Sequence, residues 1–295
     1  MDNSRSRFQI EALDATFGAV ITGLKLSTID DASFAEMHAA WLEYALLIFP
    51  DQHLTNEEQV VFAKRFGELE FELAPLSNVR SDGTLRAHDD SDDVVKILKG
   101  NMGWHADSTY MPVQAKGAVF TAHVVPSKGG ETEWADMRAA YEALEPRMQR
   151  RVAELSASHS LRYSQAKIGH VHRQGSAYSG YGFHDQEPPL RPLVKRHPET
   201  QRCSLTIGRH AYGIPGMHAD ESERLLQDLV DSACRAPRVY RHEWSPGDAV
   251  VWDNRCLLHR GRQWDMNEPR VMYHTRLAGD PSTEFAAGRV GELLD

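Results

Sequence analysis

The sequence predicts a mainly β fold with helical decoration, a sandwich or jelly roll, held in one domain over residues 1–295. Short runs rich in Val, Ile, Tyr, Phe and Thr alternate with Gly, Pro, Asp and Asn, the pattern of strands closed by turns. Helical patterns are fewer and lie early in the chain or between strand runs. No internal repeat or low-complexity linker divides the chain, and 295 residues with 41% hydrophobic content suffice for one large core.

The elements follow in order. "GAVITGL" (18–24) and "ALLIFP" (45–50) read as strands around a helix over 32–46, whose Phe34, Met37, Trp41 and Tyr44 share one face. Thr55 and Glu58 form a capping box that opens a helix running to about Phe66. The polar, acidic stretch 78–93 reads as an exposed loop, followed by a strand at "VVKILKG" (94–100). Further strands are expected at "GAVFTAHVV" (117–125), "SASHSLRY" (156–163), "CSLTIG" (203–208), "RVYRHEW" (238–244), "DAVVW" (248–252) and "RVMYHTRL" (270–277). Helices are expected over 136–155 and 220–235.

Charge and composition exclude several classes. A net charge of -9 opposes nucleic-acid binding, which needs a basic surface. No apolar run reaches the ~20 residues that cross a bilayer, and "MDNSRSRFQIEALD" lacks the apolar core of a signal peptide. The expected compartment is therefore the cytoplasm, with no membrane partner. Cys203, Cys234 and Cys256 are odd in number and widely spaced, which fits reduced thiols and neither a disulfide framework nor a zinc site.

Three His-x-Asp triplets raise a metal question: His88/Asp90, His105/Asp107 and His218/Asp220, where chance alone gives about one. The first lies in the loose acidic loop, which offers no rigid support. In the third, Asp220 is placed to cap the helix that follows, which explains it without a metal. His105/Asp107 follows the apolar run 94–100 and a glycine-containing turn, so it is either a ligand pair at a strand end or an exposed polar turn. A facial triad of two histidines and a carboxylate needs a distant histidine, and "SPGDAVVWDNRCLLHRG" offers His259. Strand alternation from residue 270 puts Arg270, Met272, His274 and Arg276 on one face. That face is either the watered side of an edge strand or the charged wall of a pocket that grips carboxylates.

Taken together, "WHADSTY", "GGETEWADM", "WDNRCLLH" and an arginine eleven residues past the histidine resemble the iron(II)- and 2-oxoglutarate-dependent dioxygenases of the taurine dioxygenase and 2,4-dichlorophenoxyacetate dioxygenase family. The resemblance spans nearly the whole chain, from "LDATFGAVITGLKL" to "LAGD", and implies a double-stranded β-helix (jelly-roll) core. It implies that His105, Asp107 and His259 bind iron(II). Thr132 and Arg270 would hold the distal carboxylate of 2-oxoglutarate, with Trp252 lining its pocket, and ascorbate would serve as in-vitro reductant. Within the family it is similar to the aryloxyalkanoate dioxygenases. The substrates implied are (S)-2-phenoxypropionates such as (S)-dichlorprop, cleaved with O2 to a phenol, a 2-oxo acid, succinate and CO2.

One departure bears on the substrate. Family members often carry a second arginine four residues beyond the first, and this chain has His274 there, with Arg276 two further on. Either could serve an anion, as could Arg209 and His210 from another strand, and the loss weakens the case for a sulfonate pocket. Asn101, Met102, Ser108, Tyr110 and Met111 are candidates for an aryl slot, because Met and aromatic side chains suit a flat halogenated ring. A homo-oligomer is the expected assembly. Two rivals remain at this stage: a sulfonate or alkylsulfate dioxygenase, and a non-catalytic metal-binding jelly roll.

Overall fold

A computed structural model describes residues 7–86, 92–170 and 187–286. The strands are β1 (Gln9–Ala12), β2 (Ala19–Thr22), β3 (Leu46–Phe49), β4 (Leu69–Ser77), β5 (Gly117–Val124), β6 (Thr132–Asp136), β7 (Ser156–His159), β8 (Leu190–Pro192), β9 (Val194–Arg196), β10 (Cys203–Leu205), β11 (Ala211–Tyr212), β12 (Val239–His242), β13 (Ala249–Asp253), β14 (Leu257–Gly261) and β15 (Val271–Leu277). The major sheet runs β1-β2-β3-β13-β5-β15-β4, antiparallel except where β2 meets β3, and a minor sheet runs β12-β6-β14. The two sheets close on one core, in which Phe120, Val250, Trp252 and Met272 from the major sheet pack with Trp134 and Leu257 from the minor one. This is a jelly roll, as the sequence predicts.

Period-two alternation decides what each sheet face covers. On β13, Val250 and Trp252 enter the inter-sheet core, while Ala249 and Val251 face the opposite way into a second cluster. Helices α1 (Asp31–Tyr44) and α2 (Asn56–Lys64) cover that outer face, with Met37, Trp41 and Phe62 almost fully buried. The expected helix face is present: Phe34 and Tyr44 pack against the same cluster. The capping box is also formed, Glu58 N–H donating to Thr55 Oγ1 at 3.2 Å and Thr55 N–H to Glu58 Oε2 at 2.8 Å. No helix among the described residues is long and apolar enough to cross a membrane.

Four expectations need correction. Residues 94–100 are not a strand but most of helix α3 (Asp93–Gly100). Its β-branched start suggested a strand, but Asp92 accepts from Val94 N–H at 2.9 Å, and Val95 and Leu98 are buried at helical spacing. "SASHSLRY" is a strand only to His159, because Ser160 then caps α6 (Leu161–Ala166). The helix expected over 136–155 is two, α4 (Met137–Glu142) and α5 (Pro146–Ala153), since a proline inside a helix removes a hydrogen bond and clashes with the turn before it. Helix α7 (Ala219–Ala233) has His218 at its cap position without a side-chain bond, so Asp220 sits in the first turn and favours it by charge alone. The triplet His88/Asp90 lies outside the described residues.

Candidate metal and 2-oxoglutarate site

His259 lies on β14 opposite Trp134 of β6, on the side that faces between the sheets. A backbone bridge ties His105 to it: each N–H donates to the other's carbonyl, at 3.0 and 2.7 Å. This bridge, not a preceding strand, fixes the His-x-Asp turn. Asn254 holds the next residues, accepting from Asp107 N–H at 2.7 Å while its Nδ2 donates to the carbonyls of Asp107 and Ala115, both at 2.9 Å. As a result, ligand atoms of His105, Asp107 and His259 all lie within 4.8 Å of one another, and all three residues are buried. His105 Nε2 stands 3.9 Å from Asp107 Oδ1, and His259 Nε2 stands 3.8 Å from Asp107 Oδ2.

The donor chemistry fits a divalent cation. His105 Nδ1–H donates to Gly103 O at 2.7 Å, which leaves Nε2 unprotonated and facing the cluster. Burial, helped by His259, pulls the His105 pKa down to about 3, and burial pulls His259 down to about 4. Both imidazoles are therefore neutral at pH 7, the form that binds metal. Burial pushes Asp107 up, but its surroundings, the Arg276 guanidinium first, outweigh it and hold the carboxyl well below the usual carboxylate range. Asp107 Oδ2 is buried with no hydrogen-bond partner. A buried carboxylate oxygen without a donor is costly, and a cation at this point would satisfy it. Two imidazole nitrogens and one carboxylate on one face is the iron(II) facial donor set.

A second set lies beside the first. Arg270 sits just before β15, which runs between β4 and β5 and so is not an edge strand. The Arg270 guanidinium is buried, donates to Gly130 O at 3.1 and 3.2 Å, and lies over Trp264. No carboxylate pairs with it among the described residues. Burial lowers its pKa to about 10, so it keeps its charge at neutral pH and presents a guanidinium suited to an anion. Gly130, at φ 73°, gives the space, since an added Cβ would lie 3.1 Å from Arg270 Nε. Thr132 Oγ1 accepts from Trp244 Nε1 at 3.0 Å, which leaves its own proton to donate. Trp252 packs its ring against His259 and stacks on His274, at centroid distances of 4.9 and 5.5 Å.

These residues wall a cavity of about 320 Å³ that also includes Asn101, Met102, Tyr110, Arg209, His210, His274 and Arg276. Its size suits a small ligand. Of the slot candidates, Ser108 and Met111 do not line it. Ser108 is fully buried at φ 57° with its hydroxyl turned to Glu70, and the Met111 carbonyl accepts from Arg191. His274 is buried and pulled down to about 3, mainly by burial and then by Arg276, so it is neutral and carries no charge for an anion. Arg276 is engaged with Asp107 at 2.9 Å. Sequence reasoning missed Asn254, which sat inside a quoted motif, and Phe71 and Glu70 of β4, which carried no motif at all. All three cysteines are free, and burial pushes the Cys234 thiol up to about 12 and Cys256 up as well, so neither is an activated nucleophile.

The buried imidazoles set an acid response. His105, His159, His259 and His274 all have pKa values between about 3 and 4 in the folded chain, and burial is the leading cause for each. The unfolded chain takes up these protons near pH 6.5, so it binds more protons than the folded chain below that value. Stability of the metal-free protein is therefore expected to be flat from pH 8 to 7 and to fall steadily from pH 6.5 to about 4. Urea unfolding at half-unit intervals checks this, and a midpoint constant down to pH 5 would contradict it.

The chain also matches known proteins. The family model described as "Taurine catabolism dioxygenase TauD, TfdA family" matches residues 9–276. The chain is 65% identical over 280 residues to an (S)-phenoxypropionate/alpha-ketoglutarate-dioxygenase of Sphingobium herbicidovorans, covering 95% of this chain and 98% of that one. It is 37% identical to an alpha-ketoglutarate-dependent 2,4-dichlorophenoxyacetate dioxygenase of Cupriavidus pinatubonensis, over 78% of this chain and 83% of that one. Among solved structures it resembles AAD-2 in complex with Mn(II) and N-oxalylglycine, with a TM-score of 0.86 and 35% identity over 95% of this chain and all of that one. Sequence match and buried site thus point the same way, and the chain belongs to the TauD, TfdA family of 2-oxoglutarate-dependent dioxygenases.

Proposed function

We propose that the protein binds iron(II) through His105, Asp107 and His259 and uses 2-oxoglutarate and O2 to cleave (S)-2-phenoxypropionates such as (S)-dichlorprop. The observation that carries this reading is the orphaned Asp107 oxygen in the same cavity as a buried Arg270 that pairs with no carboxylate among the described residues, in a chain 65% identical to a dioxygenase of that substrate class. When bound, iron(II) and 2-oxoglutarate supply the oxygen-activating chemistry; the chain supplies the geometry. Arg270 and the Thr132 hydroxyl hold the distal carboxylate, and Trp252 with Trp264 dries and shapes that side of the cavity. Hydroxylation at the carbon bearing the ether oxygen gives a hemiketal that breaks into a phenol and pyruvate, while 2-oxoglutarate yields succinate and CO2.

With His274 neutral and Arg276 held by Asp107, the anchor for the substrate carboxylate is Arg209. It lines the cavity, its backbone N–H is fixed to Trp104 O at 2.8 Å, and its side chain runs against Gly100 and Gly103. Its guanidinium donates to Gly100 O, and it shares the cavity wall with His105 and His210. Asn101, Met102 and Tyr110, with the neutral His210, then form the ring slot. Arg209→Gln is expected to raise KM for the aryloxy acid more than about tenfold, a lost charge-assisted bond, with KM for 2-oxoglutarate changed less than about twofold. An unchanged KM for the acid would move the anchor elsewhere.

The deciding experiment supplies iron(II), 2-oxoglutarate and ascorbate anaerobically, then adds oxygen with (S)-dichlorprop, (R)-dichlorprop, 2,4-dichlorophenoxyacetate or taurine. Phenol matched to succinate for the (S)-acid is the expected result. Succinate formed with taurine alone would keep the metal site and overturn the substrate. Iron-loaded protein that forms succinate with none of them would point to the non-catalytic metal-binding reading.

A further inference from the structure

Asp107 has two carboxylate oxygens in unlike surroundings, and one arginine makes the difference. Arg276 Nη2 lies 2.9 Å from Asp107 Oδ1, whereas Oδ2 has no hydrogen-bond partner. The same guanidinium is held on three other sides. Its Nη1 donates to Ser108 Oγ at 3.2 Å and lies 3.8 Å from Glu70 Oε1, and its Cζ stands 4.7 Å over the Phe71 ring. Ser108 is in turn tied to both Glu70 oxygens, at 2.9 and 2.8 Å.

Two backbone irregularities build this arrangement. Ser108 has φ 57°, a left-handed conformation that a side-chain-bearing residue rarely adopts, and it turns the hydroxyl away from the cavity toward Glu70. The pairing of β15 with β4 shifts register between His274 and Arg276 and again between Arg276 and Leu277. Such irregularities re-aim a side chain beside a site. Both distortions converge on the Arg276 guanidinium.

We propose that Arg276, clamped by Glu70, Ser108 and Phe71, is a positioning residue that takes Asp107 Oδ1 and so commits the carboxylate to the metal through Oδ2 alone. The inference rests on the metal reading above and deepens it. A carboxylate that chelates through both oxygens occupies two coordination positions, and the reaction needs three left open for 2-oxoglutarate and oxygen. Arg276 removes that option by holding one oxygen in a charge-assisted bond. Glu70 balances the guanidinium, so its charge is shared between two carboxylates and is not offered to the substrate.

The test is anaerobic titration of metal-free protein with Mn(II), followed by loss of the free-ion paramagnetic resonance signal, for wild type, Arg276→Gln, Arg276→Lys and Glu70→Gln. Wild type is expected to bind one Mn(II). Arg276→Gln should bind it more tightly, by about tenfold or more, because it frees Oδ1 to chelate the ion and removes a cation 2.9 Å from the ligand. Lys should return part of the way to wild type, since it keeps the charge but not the fork. Glu70→Gln, which leaves the guanidinium more fully on Asp107, should bind the ion more weakly than wild type by a smaller factor. At saturating metal, KM of Arg276→Gln for the aryloxy acid should change less than about threefold. Wild-type Mn(II) affinity in Arg276→Gln overturns the proposal, as does a large rise in KM for the acid with metal affinity intact. Should Arg276→Gln not fold, the lysine and Glu70 variants carry the decision, and wild-type affinity in both overturns it. Wild type that binds no Mn(II) overturns the metal reading itself.

Discussion

Asp107→Ala is expected to abolish turnover and to weaken Mn(II) or iron(II) binding by more than about a hundredfold, the upper end of what partners outside the first shell cost. Two features compound at this residue, and a third confines the loss. It is the only carboxylate in the donor cluster, so its loss leaves two neutral imidazoles to hold a divalent cation. Its Oδ1 neutralises Arg276 at 2.9 Å, so the alanine variant takes one counter-charge from a buried guanidinium that also lies 3.8 Å from Glu70. Its backbone remains held by Asn254, so the loss should be local and the fold should persist. Metal titration and thermal melting of the same samples check both halves. Retained metal affinity within threefold of wild type would show that the cation is not bound here.

Legibility differed between the two kinds of structure for physical reasons. Strands such as 249–253 and 271–277 declare themselves by their β-branched and aromatic runs; the first is buried on both faces, and the second alternates in burial over its first four residues. The stretch 94–100 misled for the same reason: β-branched residues open it, but the deciding feature is Asp92, a cap outside the apolar run. The donor cluster was legible only in combination. His105 and Asp107 alone matched two other triplets, and His259 with Arg270 and Thr132 separated them. What no spacing revealed were residues that act on backbone or on other side chains. Asn254 binds the main chain of Asp107, and Glu70 of β4 reaches Ser108, 38 residues on in sequence, and Arg276, far beyond it. Period two did place Arg276 on the Arg270 face; it could not say that Asp107 would occupy it.

Asp253→Ala is expected to cost about 3–5 kcal/mol, the usual penalty for breaking a buried ion pair by removing one partner. Asp253 is almost fully buried at the end of β13 and satisfies three groups at once. Arg255 donates to Oδ1 from Nε at 2.9 Å and from its backbone N–H at 3.0 Å, and to Oδ2 from Nη2 at 2.6 Å; His197 Nε2 lies 3.0 Å from Oδ2. Burial opposes the charge, but Arg255 and His197 outweigh it and hold the carboxyl far below its ordinary range. Removing it strands Arg255, with the half-exposed Glu199 at 2.6 Å as its one remaining counter-charge among the described residues. The consequence reaches the site, because this network fixes the turn on which Asn254 sits, and Asn254 holds Asp107. Asp253→Ala should therefore lose metal affinity along with stability, whereas Asp253→Asn, which keeps the shape and two acceptor or donor positions, should lose less of both. Urea unfolding of the two variants with Mn(II) titration separates the effects. A stability loss below about 1 kcal/mol for alanine would place the anchoring of this turn in the backbone bonds of β13 and β14 instead.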